Sequence, residues 1–258
     1  MPLVYLTKGI EFAAAHRYVR DEWSPEQNRE VFGACYNEPG HGHNYFLEVT
    51  VAGDVDSPTG MVVNLYDLKV VLLQVLEEFD HKHLNLDTPY FKDQVPTMEN
   101  IARVLWGALE RHRNIGRLET VKLAEDEDLC ATLRRSLGQE QASIARRYGL
   151  PFDGSALVGG TPKKGRGPEA DLWVTVQGMI DPVTGMVTDL RGLDRIVTER
   201  IVQVWPALLK ALRRPDRGPT GEELARRVWD ELQPYIHGAQ LESVRFVESR
   251  DLAYEHVG

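Results

Sequence analysis

The sequence predicts an α+β protein made of two tandem copies of one small antiparallel unit. Three blocks of sequence repeat in the same order at a nearly constant offset. Within each copy, apolar residues alternate in some segments and recur at helical spacing in others, with turn residues between them.

The repeat organises the rest. Residues 50–68 (TVAGDVDSPTGMVVNLYDL) match 175–193 (TVQGMIDPVTGMVTDLRGL) through TV-x-G, an Asp three residues after the Gly, TGMV and a later Leu. VPTMENIARVLW (95–106) matches GPTGEELARRVW (218–229), and VKLAEDEDL (121–129) matches VRFVESRDL (244–252). The offset stays between 123 and 125 residues, so chance does not account for the series. We read two homologous domains, 1–133 and 137–258, divided near the charged stretch Leu133–Ser136. The Gly/Pro/Lys-rich segment 159–168 (GGTPKKGRGP) reads as a loop inside the second copy.

Each element follows from its periodicity. Segment 3–16 is strand-like, with Phe12, Ala14 and His16 on one face. Segment 41–52 alternates strictly, with His41, His43, Tyr45, Leu47, Val49 and Val51 on one face. DSPTGMV (56–62) carries turn chemistry and is expected to join two strands. Leu65, Leu68, Leu72, Val75, Leu76 and Phe79 then recur at helical spacing over 65–79. A second helix is expected after Pro96, with Thr97 as its N-cap. The counterpart Thr220 stands three residues before Glu223, the spacing of a capping box. A strand over 119–124 follows. Each copy is β-β-β-helix-helix-β in outline.

Composition excludes several classes. The chain has 258 residues, 42% hydrophobic and 27% charged, as in soluble globular proteins. No apolar run approaches the roughly 18 residues of a membrane span. MPLVYLTKGIEF lacks a basic region followed by an apolar stretch, so no signal peptide is expected. Two cysteines, Cys35 and Cys130, argue against a disulfide framework and point to the cytoplasm. A net charge of −9 argues against a nucleic-acid surface, while leaving room for a local basic pocket that takes a small anion.

Three histidines carry the chemistry. His41 and His43 are two apart on a strand and so share a face; His16 joins them if the two strands pair. Three imidazoles on one zinc leave a fourth position open, the catalytic arrangement. Any one of them alone would read as a surface or satisfied histidine. Cys35 precedes His41 by six residues. A nearby dication favours thiolate, which could take a substrate proton, although a free Cys is more commonly a small buried hydrophobe. In FDHKHLN, Asp80 can orient His81 for proton transfer, or the pair can be a helix-end polar cluster. Glu125, at a strand end, can accept two hydrogen bonds from a flat amidine-like edge, or can simply be exposed.

FAAAH (12–16), CYNEPGHGHNY (35–45), PTGMVVNLYDLK (58–69), FDHKHLNLDTPYF (79–91), PTMENIA (96–102) and the strand ending at Glu125 together resemble the 6-pyruvoyltetrahydropterin synthase family, which includes bacterial 6-carboxytetrahydropterin synthase. The resemblance runs over 1–133. It implies His16, His41 and His43 as zinc ligands, Cys35 as catalytic base with Asp80 and His81 completing a proton-transfer triad, and Glu125 and Thr97 as substrate-binding residues. It implies the tunnelling fold, a four-stranded antiparallel sheet with two helices on one face, and active sites between subunits. It also implies zinc as cofactor, with Mg accompanying the substrate triphosphate, and a homo-oligomer, for which a trimer of tandem chains matches the family's ring size. The implied reaction converts 7,8-dihydroneopterin triphosphate to 6-pyruvoyltetrahydropterin by eliminating triphosphate. The carboxy branch instead releases acetaldehyde; the five residues between Cys35 and His41 look more like the pyruvoyl branch. A non-catalytic pterin-binding scaffold is the competing reading. GTP cyclohydrolase, a fold relative that also uses cysteine ligands, fits less well, because Cys130 is poorly placed.

The second copy departs from that pattern. Arg146 stands where the first ligand would be, the H-x-H region falls on GRGP (165–168), and no Cys or Asp-His pair corresponds. Glu248 stands opposite Glu125. This copy is therefore expected to hold no zinc and to serve the assembly.

Overall fold

Alternation along the first two segments forces every second side chain to one face, and pairing the strands assembles that face into a core. The computed structural model describes residues 3–152, 157 and 169–258. In it β1 (Val4–His16) and β2 (His41–Gly53) run antiparallel, with Phe12 opposite Tyr45 and His16 opposite His41. Between them lies α1 (Pro25–Phe32), whose N-cap Ser24 accepts the Gln27 N–H.

After β2 come α2 (Leu65–Leu76), the two-residue β3 (Lys82–His83), the single turn α3 (Leu84–Asp87) and α4 (Met98–Glu110). Then β4 (Arg117–Ala124) and β5 (Leu129–Arg134) complete an antiparallel sheet in the order β1-β2-β4-β5. Strand β3 lies parallel to β1 on its outer edge. Leu68, Leu72 and Val75 of α2 and Ile101, Leu105 and Leu109 of α4 are buried, as are Leu47, Val49, Val51, Val121 and Leu123 on the sheet. Each such side chain contributes roughly 1.5–3 kcal/mol by leaving water. Thr97 caps α4 as its sequence position predicts, accepting the Asn100 N–H.

One expected strand does not form. The turn at 56–62 leads straight into the expected helix, α2, whose N-cap Asn64 accepts the Tyr66 N–H, so no third strand stands between them. The fourth strand is β5. Its residues LCATLR are buried almost throughout, so they show no alternation that would mark a strand in the sequence.

The second copy repeats the plan with β6 (Gln141–Pro151), β7 (Glu169–Met179), α5 (Leu190–Val197), α6 (Trp205–Leu212), α7 (Gly221–Leu232), β8 (Gln240–Ser249) and β9 (Leu252–Val257). Strands β7, β8 and β9 pair antiparallel, and α7 begins with the anticipated Thr220–Glu223 capping box. The segment 159–168, including GRGP at 165–168, lies outside the described residues. The repeated four-stranded antiparallel sheet with its covering helices is the tunnelling fold.

The chain divides into two units. The first comprises residues 1–142 together with 179–187; the second comprises 143–178 and 188–258. The segment 179–187, part of the second copy by sequence, thus belongs to the first unit by contact.

Candidate metal centre and active site

The β1–β2 register places His16 directly opposite His41, and His43 two residues further along the same face. Their rings come within 4.8–5.0 Å of one another, centroid to centroid. Nε2 of His16 and Nε2 of His41 face each other at 3.2 Å. Glu125, just beyond β4, joins them: ligand atoms of His16, His41, His43 and Glu125 all lie within 4.8 Å of one another. Among the described residues this is the only such cluster, and none falls in the second unit.

The electrostatics suit a cation. His16 is fully buried, and burial, with the neighbouring His43 and His41, pushes it down to about 3 against the opposing Pro96 carbonyl. Burial also lowers His41 and His43. All three imidazoles are therefore neutral near pH 7, the state that ligates a metal. Nε2 of His43 is buried with no hydrogen-bond partner. Oε1 of Glu125 stands 3.2 Å away without hydrogen-bond alignment. A buried nitrogen left unpaired beside two other imidazoles and a carboxylate is a donor set that fits a dication such as zinc. Behind the cluster, the buried Tyr45 hydroxyl lies 3.0 Å from His16 Nδ1 and fixes that ring.

Cys35 lies in a 3₁₀ turn (Gly33–Tyr36) after α1, its carbonyl accepting the Tyr18 N–H at 2.8 Å. It packs against the buried cluster of Tyr18, Phe32 and Val95. Tyr18 in turn stacks at a tilt on His16, 4.8 Å between centroids. Burial, then the charge of Glu125, pushes the Cys35 thiol up to about 11. A dication on the histidines would act in the opposite sense.

Asp80 and His81 sit elsewhere on the unit. Asp80 Oδ1 accepts the Ala13 N–H at 2.8 Å, and the His81 N–H reaches the Ala13 carbonyl, so the pair borders the outer edge of β1, away from β2. His81 Nδ1 lies 2.9 Å from Asp80 Oδ2 with its side chain 82% exposed, as an orienting carboxylate would hold an available imidazole. Among the described residues, no contact joins this pair to Cys35.

Thr97 is wholly buried, and its hydroxyl donates to the Gly185 carbonyl at 2.6 Å. Its neighbour Glu99, not singled out by any motif, is a buried carboxyl in the first turn of α4. Burial pushes Glu99 up to about 7, and Oε1 accepts the Val187 N–H at 2.9 Å. The available signal was a Glu beside Met98 on a helix whose buried stripe begins there. It is weak, because acidic residues are common in first turns. In the second unit, Arg146 pairs with Asp194 at 3.3 Å, Tyr148 donates to the same carboxylate at 2.8 Å, and Tyr254 donates to Glu248.

Fold and site together define a tunnelling-fold lyase of the pterin-synthase class. The family model described as 6-pyruvoyl tetrahydropterin synthase matches residues 5–136 and 167–258. The chain belongs to the 6-pyruvoyl tetrahydropterin synthase family. It is 43% identical over 124 residues to the 6-pyruvoyl tetrahydrobiopterin synthase of Homo sapiens, covering 48% of this chain and 86% of the relative. It is 37% identical over 112 residues to the putative 6-carboxy-5,6,7,8-tetrahydropterin synthase of Archaeoglobus fulgidus, covering 40% of this chain and 90% of that one. The 6-pyruvoyl tetrahydropterin synthase structure of Caenorhabditis elegans aligns at 36% identity with a TM-score of 0.49, covering 52% of this chain and 96% of that chain.

Proposed function

We propose that this chain converts 7,8-dihydroneopterin triphosphate to 6-pyruvoyltetrahydropterin with loss of triphosphate, at a zinc site on His16, His41 and His43. The observation that supports it best is the convergence of three neutral imidazoles and Glu125 on one point, with His43 Nε2 buried and making no hydrogen bond. Bound zinc would supply Lewis acidity toward the hydroxyls of the substrate side chain.

The chain's own residues supply the rest. Tyr45 holds His16 in orientation. Glu125 accepts the amino and ring N–H edge of the pterin, while Thr97, wholly buried between Gly185 and the start of α4, supports the site rather than touching substrate. Cys35 takes the substrate proton. Asp80 and His81, exposed on the outer edge of β1, are suited to serve the Cys35 of a neighbouring subunit, which makes the active assembly a homo-oligomer. Mg accompanies the triphosphate.

Incubating the purified chain with 7,8-dihydroneopterin triphosphate and identifying products by mass tests this reading. 6-Pyruvoyltetrahydropterin and triphosphate support it. Acetaldehyde with 6-carboxytetrahydropterin would assign the carboxy branch, and pterin binding without turnover would make the chain a scaffold.

A further inference from the structure

The sequence contains the same turn twice, and the two copies are wired alike. Asp56 N bonds the Met61 carbonyl at 2.9 Å and Gly60 N bonds the Asp56 carbonyl at 2.7 Å; Asp181 N bonds Met186 at 3.0 Å and Gly185 N bonds Asp181 at 2.8 Å. Each Asp carboxylate takes the hydroxyl and N–H of the Thr three residues on. Both glycines have positive φ, 69° at Gly60 and 77° at Gly185.

Their surroundings differ completely. A Cβ on Gly60 would meet nothing within 4 Å, and Met61 is 47% exposed. A Cβ on Gly185 would collide with the Asn100 amide and crowd the Thr97 hydroxyl. The Gly185 carbonyl takes the Thr97 proton, Val187 N–H fixes Glu99, and Met186 packs on the Tyr18–Phe32–Val95 cluster that also carries Cys35. Pro96, whose carbonyl reaches His16, immediately precedes this seat. The second copy has lost the first ligand position to Arg146, yet its turn sits against the first unit's machinery.

We propose that the turn 181–187 is a wall of the first unit's substrate site, locked onto the start of α4 and presenting Met186 beside Cys35 as an apolar face for a flat pterin ring. The proposal rests on the pterin reading above for its ligand. A polarizable, unbranched Met side chain suits contact with a flat heteroaromatic ring. The second copy is thereby part of the substrate-binding surface as well as of the assembly.

The test compares Met186→Ala, Gly185→Ala and Gly60→Ala in the full chain. Gly60→Ala imposes the same backbone strain where the added Cβ meets nothing within 4 Å, so it controls for strain. Two readouts are taken: the rate of Cys35 alkylation by iodoacetamide, resolved by peptide mass, and the Kd of 7,8-dihydroneopterin by fluorescence. We expect Met186→Ala and Gly185→Ala to speed alkylation and to weaken pterin binding about tenfold, the loss of one good apolar contact, with Gly60→Ala unchanged in both. Unchanged alkylation in Met186→Ala and Gly185→Ala overturns the wall. Faster alkylation with unchanged pterin affinity overturns its role toward substrate. If the unsubstituted chain binds no pterin, the functional reading fails, and the alkylation rates still decide whether the turn covers Cys35.

Discussion

The Tyr45 hydroxyl stands 3.0 Å from His16 Nδ1 in the buried interior, on the side of the ring away from the Nε2 that faces His41. Burial holds the Tyr45 phenol well above its ordinary range, so it stays neutral. With Nε2 committed to a metal, Nδ1 carries the proton and donates to Tyr45. Removing that acceptor leaves a buried N–H unpaired and frees the ring to turn. Tyr45→Phe should therefore weaken metal binding by about tenfold to a hundredfold, read by competition with a chelating dye. Unchanged affinity would show that packing alone orients His16.

Metal analysis should find about one tightly bound zinc per chain, because among the described residues three imidazoles converge in the first unit alone. His41→Ala should lose most of it. Two zincs per chain would mean that the second copy holds a site of its own.

Cys35 and Glu125 should separate chemistry from binding. Cys35→Ala is expected to keep metal and pterin affinity and to lose turnover by roughly 10²-fold or more, the scale of a missing acid–base group. Glu125→Ala should weaken pterin binding while zinc stays. Loss of zinc in that variant would instead make Glu125 a ligand, as its place among the histidines allows.

Glu99 should leave a pH signature. Its folded-state value, pushed up by burial from 4.5 to about 7, means that the folded chain holds this proton more tightly than the unfolded one. The stabilisation is fully present below about 4.5 and is lost as pH rises through about 7. Glu99→Gln keeps an acceptor for Val187 without the ionisation. Its thermal stability should gain on the unsubstituted chain by roughly 1–3 kcal/mol between pH 4.5 and 8. A constant difference across that range would show that Glu99 ionises freely.

The outer face of α2 exposes Leu65, Tyr66, Val70 and Leu73, with Met61 nearby in sequence also bare. Burying such surface favours self-association. Light scattering is expected to give an oligomer, with a trimer of tandem chains matching rings of three units. A tetramer would indicate an even-numbered ring, and a stable monomer would exclude both.

The sequence by itself determined the repeat, the strand-borne histidine face and the helix starts at Thr97 and Thr220. These are local matters: period two puts His41 and His43 on one side, and a capping side chain reaches backbone only a few residues away. It could not show β5, whose buried LCATLR lacks alternation, and it implied a strand between the turn at 56–62 and the helix that Asn64 caps, where none forms. Only the tertiary structure decided that Glu125 stands among the histidines, that Asp80 and His81 border the far edge of β1, and that Gly185, Met186 and Val187 close over Thr97, Glu99 and the Cys35 cluster. The turns at 56–62 and 181–187 share their Asp, Thr, Gly, Met and Val and the hydrogen bonds those residues make. What separates the bare one from the seated one is the surface against which each folds, and that contact joins residues 88 apart in the chain. Long-range burial of this kind leaves no period in the sequence. It decides which of two similar turns covers the candidate site, and whether a carboxyl such as Glu99 meets water or a backbone N–H.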